Sequence, residues 1–150
     1  QLAKPAQPSP AEGPRAQPQV NLTGLQILAA DDNDVNLEVL GAMLAETGAQ
    51  IVLARDGQQA VDAFAAQAFD LLILDISMPV LDGPSALGQM TALAAQDGRK
   101  MPPAIAFTAN LMPHQISAHL QAGFVDVVAK PLKQRALLDQ IQRIIAPSQV

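Results

Sequence analysis

The chain has no cysteine, no tryptophan and no tyrosine, and only four phenylalanines and two histidines in 150 residues. Without cysteine there is no disulfide and no thiolate metal site, and a reducing, cytoplasmic compartment is expected. No apolar run approaches the length that spans a bilayer, and no charged-then-apolar leader opens the chain. A soluble protein without direct membrane contact is therefore expected, any membrane attachment belonging to a parent protein. Basic residues are few: nine Lys and Arg against fourteen Asp and Glu give a net charge of −5. Residues 1–23 carry Lys4, Arg15 and Glu12, so the remainder holds −6. No clustered basic face is available for nucleic acid, and most of the acidity reads as ordinary solubility. A glycine-rich phosphate loop is missing after the first apolar run, which counts against a nucleotide or flavin binder.

What is present suits one domain, since 49% of residues are hydrophobic and the length is enough to bury a core. The chain opens on Gln1 rather than Met and is expected to be a piece of a longer polypeptide. Residues 1–23 stand apart: Pro5, Pro8, Pro10, Pro14 and Pro18 alternate with Gln, Ala and Ser. That composition predicts a semi-extended, disordered linker, with residues 24–150 as the folded domain. No basic-flanked PxxP segment marks residues 1–23 as a ligand for a recognition module.

From Gln26 the pattern alternates. Short apolar runs at Ile27–Ala30, Ile51–Ala54, Phe69–Leu74, Pro103–Phe107 and Val125–Val128 predict five strands. Between and after them come helical stripes: Val35, Val39, Leu40, Met43 and Leu44; Ala60, Val61, Phe64 and Ala68; Leu87, Met90 and Leu93 behind Pro84; residues 113–121; and Leu137, Leu138, Ile141, Ile144 and Ile145. Gly48 fits a helix stop. Five strand–helix repeats predict a doubly wound α/β domain with a parallel sheet, whose ligands bind beyond the carboxyl ends of the strands.

Asp31, Asp32, Asp75 and Thr108 all fall at those ends, and Lys130 follows the fifth run. Clustered carboxylates repel by roughly 4 kcal/mol per pair at about 4 Å and an effective dielectric near 20. Such a cluster calls for a cation, and an all-oxygen donor set suits Mg²⁺. The Lys130 ammonium and the Thr108 hydroxyl can meet a phosphoryl oxygen. Phosphoryl transfer is mainly positioning and charge stabilisation, so these few groups suffice for Mg²⁺-assisted transfer onto an aspartate. Asp75, at the end of the most apolar run and before a turn-rich loop, is the expected acceptor. Asp31 and Asp32 are the expected metal-holding pair. Singly, each residue has an ordinary explanation: helix capping near Asp31–Asp32, where Asn33 or Asp34 can serve, a surface lysine, a strand-end hydroxyl. Their joint order at strand ends favours one site. Asp82–Gly83 reads as a turn, and His114 and His119, five apart, read as solvated rather than as a metal pair.

The strings ILAADDNDVN (27–36), LLILDISMPVLDG (71–83), FTAN (107–110) and VAKP (128–131) resemble the receiver domain of two-component response regulators, most of all the C-terminal receiver of hybrid sensor histidine kinases. The resemblance covers about residues 25–146 and implies a flavodoxin-like, five-stranded sheet of order 2-1-3-4-5 flanked by five helices. It implies that Asp75 takes a phosphoryl group from a phosphohistidine, in cis from the kinase, and passes it to a histidine phosphotransfer protein or uses it to regulate the kinase. Asp32, Asp75 and the Ser77 backbone carbonyl would bind Mg²⁺ directly, with Asp31 acting partly through water. Thr108 and Lys130 would contact the phosphoryl oxygens, before a cis Lys130–Pro131 peptide. Ser77 and Asn110 stand where the family tunes hydrolysis. The domain would catalyse its own phosphorylation and dephosphorylation, chiefly as a phosphoacceptor, while the parent chain would be a kinase.

Many receivers carry an aromatic switch residue three positions before the lysine. This chain has Val127 there, so coupling to the surface of the fourth helix, fifth strand and fifth helix is not expected to run through an aromatic flip. A phosphorelay intermediate fits that departure. Two other classes compete. A pseudo-receiver would lack the complete acid, hydroxyl and lysine set. A phosphatase of the haloacid dehalogenase type needs an acid two positions after its nucleophile, where this chain has Ser77.

Overall fold

The computed structural model describes residues 22–109, 111–130 and 133–145. Five strands alternate with five helices: β1 (Gln26–Ala30), α1 (Asp34–Ala45), β2 (Gln50–Ala54), α2 (Gly57–Ala66), β3 (Leu71–Asp75), α3 (Gly83–Asp97), β4 (Ala104–Thr108), α4 (Pro113–Gln121), β5 (Asp126–Ala129) and α5 (Gln134–Ile145). All four strand pairings are parallel, in the order β2-β1-β3-β4-β5. This is the doubly wound α/β sheet and the strand order expected above.

The strand period of two divides the core. Leu28, Ala30, Leu72, Leu74, Ala104 and Ala106 face one side and pack with Ala60, Val61 and Phe64 of α2 and Ala86, Leu87, Met90 and Ala94 of α3. The alternate residues Ile27, Ala29, Leu71, Ile73, Ile105 and Phe107 face the other side, against Leu40 and Leu44 of α1 and Leu137 and Ile141 of α5. Every residue of the central β3 and β4 is buried, whereas the edge strand β2 keeps Gln50 and Leu53 exposed. A strand covered on both faces has no use for polar alternation, which is why 71–74 and 103–107 read as continuous apolar runs.

The strand bounds differ slightly from expectation, for local reasons. Pro103 has no N–H to give, but its carbonyl accepts from Leu72 N at 2.9 Å, so it borders β4 without entering it. Asp70 is drawn off the start of β3 by a carboxylate bond from Gln26 N at 2.9 Å. At the other end β3 reaches Asp75 itself, which pairs with Phe107. Gly48, with φ +88°, lies three residues past the end of α1. Of the proposed linker, Leu22 and Thr23 are among the described residues. Leu22 is buried, and its N–H donates to the Thr47 carbonyl at 2.8 Å. His119 departs from expectation: it is buried in the last turn of α4 rather than solvated, because it lies on the side of the helix turned to the protein.

The loop after β3 is pinned from two sides. Gly83 N donates to the Ile76 carbonyl at 3.0 Å, and Leu81 N reaches back to Pro79 at 2.7 Å. That tight turn puts Val80 at φ +69°, a region a β-branched residue rarely enters. On the α2 side, a Cβ added to Gly57 would overlap the Leu81 carbonyl oxygen and come within 2.7 Å of Leu81 Cβ. Glycine at position 57 therefore lets the start of α2 close against the loop. We expect Gly57→Ala to lower unfolding free energy by about 1–3 kcal/mol in urea titrations. Gly88→Ala, in open space on α3, should be neutral or stabilising by up to about 1 kcal/mol. A Gly57→Ala protein as stable as wild type would contradict the close approach.

Candidate functional site

The carboxyl ends of β1, β3 and β4 are adjacent, so the chain leaves the sheet at three neighbouring points. Ala30 pairs with Leu74, which places Asp31 and Asp75 side by side where the two strands end. Asp75 pairs with Phe107, which places Thr108 one residue further along the next strand. Lys130 follows β5 directly, and its N–H donates to the Thr108 carbonyl at 2.9 Å. Residues up to 99 positions apart in the chain thereby share one edge.

Asp31 is completely buried and well supplied with donors. Its Oδ1 accepts from Asn33 N at 2.9 Å and its Oδ2 from Asn36 Nδ2 at 3.2 Å. Asn33, not either aspartate, caps α1, its Oδ1 accepting from Val35 N and Asn36 N. The acidic pair is thus not consumed by capping. Asp32 is exposed, and its carboxylate takes no hydrogen bond or ion pair from the described residues. Asp75 is 2% exposed, and its Oδ1 accepts from Ser77 N at a long 3.3 Å. Its Oδ2 is buried without a hydrogen-bond donor among the described residues. Only an ionic contact reaches it, from Lys130 Nζ at 3.1 Å; the same ammonium lies 3.4 Å from Asp31 Oδ2.

One carboxylate oxygen from each of Asp31, Asp32 and Asp75 lies within 4.8 Å of the others. Among the described residues, three carboxylates against one ammonium leave two negative charges uncompensated. Asp75 shows the consequence: burial pushes its carboxyl from an ordinary 3.8 up to about 6, and repulsion from Asp31 adds to it. The Lys130 contact and the Ser77 N–H oppose the rise without cancelling it. A buried oxygen that meets only one ammonium among the described residues, in an oxygen-only cluster short of positive charge, fits a hard divalent cation such as Mg²⁺.

Thr108 is buried at the end of β4. Ser77 is exposed in the loop after β3, two residues from Asp75. The Lys130–Pro131 peptide and Asn110 lie outside the described residues. Val127 is partly buried against the α2 and α3 face, and its carbonyl accepts from Gln140 Nε2 at 3.1 Å. Asp82 caps α3, its Oδ1 accepting from Ser85 N at 2.8 Å, so the Asp82–Gly83 turn is also a helix start. Two contributors had no individual signal in the sequence. Asn36 read only as part of a helix, and Phe107, whose ring centroid lies 4.8 Å from Lys130 Nζ, read only as strand core.

The model of the response regulator receiver domain matches residues 27–142. The chain belongs to that family. Among proteins similar to this receiver, sensor protein GacS of Pseudomonas syringae pv. syringae is 35% identical over 112 residues, 75% of this chain and 12% of GacS. The signal transduction histidine-protein kinase BarA of Escherichia coli is 35% identical over 119 residues, 79% of this chain and 13% of BarA. The chain thus spans about an eighth of the length of these curated relatives. Among solved structures, the receiver domain of sensor histidine kinase PA1611 from Pseudomonas aeruginosa, with magnesium in its active-site cleft, has a TM-score of 0.71 and 38% identity over 82% of this chain and 98% of that one. The receiver of Ssk1, in complex with the phosphotransfer protein Ypd1 from Saccharomyces cerevisiae, shares the fold at a TM-score of 0.79 and 24% identity, over 89% and 95% of the chains. No helix among the described residues is long and apolar enough to cross a membrane.

The raised Asp75 carboxyl has a defined effect on stability. Without a bound cation, the native state holds the Asp75 proton up to about pH 6, whereas the unfolded chain releases it near pH 4. This group's contribution is therefore fully present at low pH and is lost as pH rises through 6. Asp75→Asn should match wild type near pH 4 and exceed it by on the order of 2–3 kcal/mol at pH 7.5 in EDTA. Urea melts across that range check it; a gap independent of pH would contradict the burial of an ionised, unsatisfied Asp75.

Proposed function

We propose that this receiver is the phosphoacceptor of a phosphorelay, taking a phosphoryl group from a phosphohistidine onto Asp75. The observation that carries the proposal is the unsatisfied, buried Asp75 carboxylate beside one ammonium and two further carboxylates. At pH 7 Asp75 is mostly ionised and nucleophilic. Its oxygen forms the new bond to phosphorus as the phosphorus–nitrogen bond to the donor imidazole breaks, and the electron pair leaves with that ring. Lys130 turns from Asp75 Oδ2 to a phosphoryl oxygen, and the Thr108 hydroxyl donates to another. Asp31, Asp32, Asp75 and the Ser77 carbonyl would hold Mg²⁺. When bound, the ion neutralises the carboxylates and the incoming phosphoryl oxygens.

The surroundings support a protein donor. Val35 and Val39 on α1, Val80 after β3, and Leu111 and Met112 after β4 are large apolar side chains left exposed on the segments leaving this edge. An acidic site among exposed apolar side chains suits a docked protein better than a free metabolite. We assign the donor to the phosphohistidine domain of a hybrid sensor histidine kinase in the same polypeptide, and the next acceptor to a histidine phosphotransfer protein. Residues 1–23 would be the tether to the rest of that cytoplasmic assembly. A pseudo-receiver would have no need of the buried, unsatisfied acid that Asp75 presents.

Intact mass after incubation with a small-molecule phosphodonor tests the proposal. Wild type with Mg²⁺ should gain one phosphoryl group, and Asp75→Asn none. Chelation of Mg²⁺ should suppress the gain in wild type. A wild-type chain that stays unlabelled, or an Asp75→Asn chain that is labelled, would overturn the assignment.

A further inference from the structure

Phe107 immediately precedes Thr108 on β4 and is completely buried on the face covered by α1 and α5. Burial alone asks only for an apolar side chain there. The ring has a second neighbour, the Lys130 ammonium, with Nζ 4.8 Å from the ring centroid. The same nitrogen lies 3.1 Å from Asp75 Oδ2 and 3.4 Å from Asp31 Oδ2. Two carboxylates and one aromatic ring thus surround the charged end of Lys130. Its backbone start is fixed too, since Lys130 N donates to the Thr108 carbonyl. The chain's other described cation–ring contact, Arg99 over Phe64 at 4.5 Å, joins α2 to the segment after α3 and is remote from the acidic cluster.

We propose that Phe107 is a positioning residue for phosphoryl transfer, its ring holding the Lys130 ammonium beside Asp75 as the phosphoryl group arrives. The proposal rests on the phosphoacceptor assignment above. At rest the two carboxylates already attract Lys130. Once a divalent cation shares those carboxylates, their pull weakens and the cation itself repels the ammonium. The ring quadrupole is not neutralised in this way, so its attraction persists. A ring contact is also less directional than a hydrogen bond. The ammonium can swing from Asp75 Oδ2 to a phosphoryl oxygen while the ring, unlike a further oxygen acceptor, does not compete for its N–H donors. An aliphatic side chain at position 107 would fill the core but leave Lys130 without this hold.

Site-specific replacement of Phe107 by mono-, di- and trifluorophenylalanine tests the ring face with nearly constant shape. Each added fluorine weakens the negative face of the ring. Phosphorylation rates with a small-molecule phosphodonor at saturating Mg²⁺ would be measured for the series with Lys130 intact and with Lys130→Met. Urea melts in EDTA of the same proteins supply a readout independent of phosphorylation. With Lys130 intact, the rate should fall stepwise to about 3- to 10-fold below wild type, with Phe107→Leu in the same range. The urea midpoint should fall stepwise in parallel. In the Lys130→Met background both series should be flat. Flat rates with Lys130 intact, or an equal fall in both backgrounds, would overturn the role of the ring while leaving a labelled wild type and the phosphoacceptor assignment standing. An unlabelled wild type would overturn both.

Discussion

Burial of two carboxylates at the ends of adjacent strands, with one ammonium between them, is the constraint on which the site depends. At an effective dielectric near 20, two such charges about 4 Å apart repel by roughly 4 kcal/mol. The protein does not spread the relief evenly. Asp31 receives two hydrogen bonds from the α1 segment, whereas Asp75 receives one long bond and, among the described residues, its Oδ2 meets only the Lys130 ammonium. The residue held least comfortably is therefore the one best placed to react. An unsatisfied buried group is rare in folded proteins because it costs stability, and such costs concentrate at functional sites.

The fold supplies the geometry at little expense to the rest of the molecule. Parallel strands release the chain at one edge, so β1, β3 and β4 deliver Asp31, Asp75 and Thr108 together without any long loop. The loop after β3 is anchored by the Ile76–Gly83 hydrogen bond and by the contact of Leu81 with Gly57. Its tight turn at Val80 places an exposed apolar side chain in a strained conformation close in sequence to Asp75. Packing, turn strain and charge crowding meet at this edge, while the two faces of the sheet are closed by ordinary apolar layers.

Most of the fold was legible because its signals are local. Continuous apolar runs such as 71–74 mark strands buried on both faces, and stripes such as Leu137 and Ile141 mark helices. The acidic residues and Lys130 were legible as an ordered set because parallel topology dictates that strand ends converge. Other features depend on contacts between distant segments. Nothing local distinguishes His119, buried on α4, from His114, exposed on the same helix. Phe107 looks like any core residue until Lys130, 23 positions later, is brought over its ring. Asn36 reads as a helix residue until the turn after β1 carries Asp31 back to it. Val127, in place of an aromatic, is accommodated as partly buried core on the α2 and α3 face.

Burial first, and repulsion from Asp31 second, raise the Asp75 carboxyl to about 6, so a cation bound beside it should displace the proton that it still partly holds at pH 6. Calorimetric titration of Mg²⁺ at pH 6, in two buffers of different protonation enthalpy, measures the protons released on binding. Release of about half a proton per ion is expected at pH 6, falling to none at pH 8 and to none at either pH in Asp75→Asn. Mg²⁺ binding with no proton release at pH 6, or with the same release in Asp75→Asn, would contradict it.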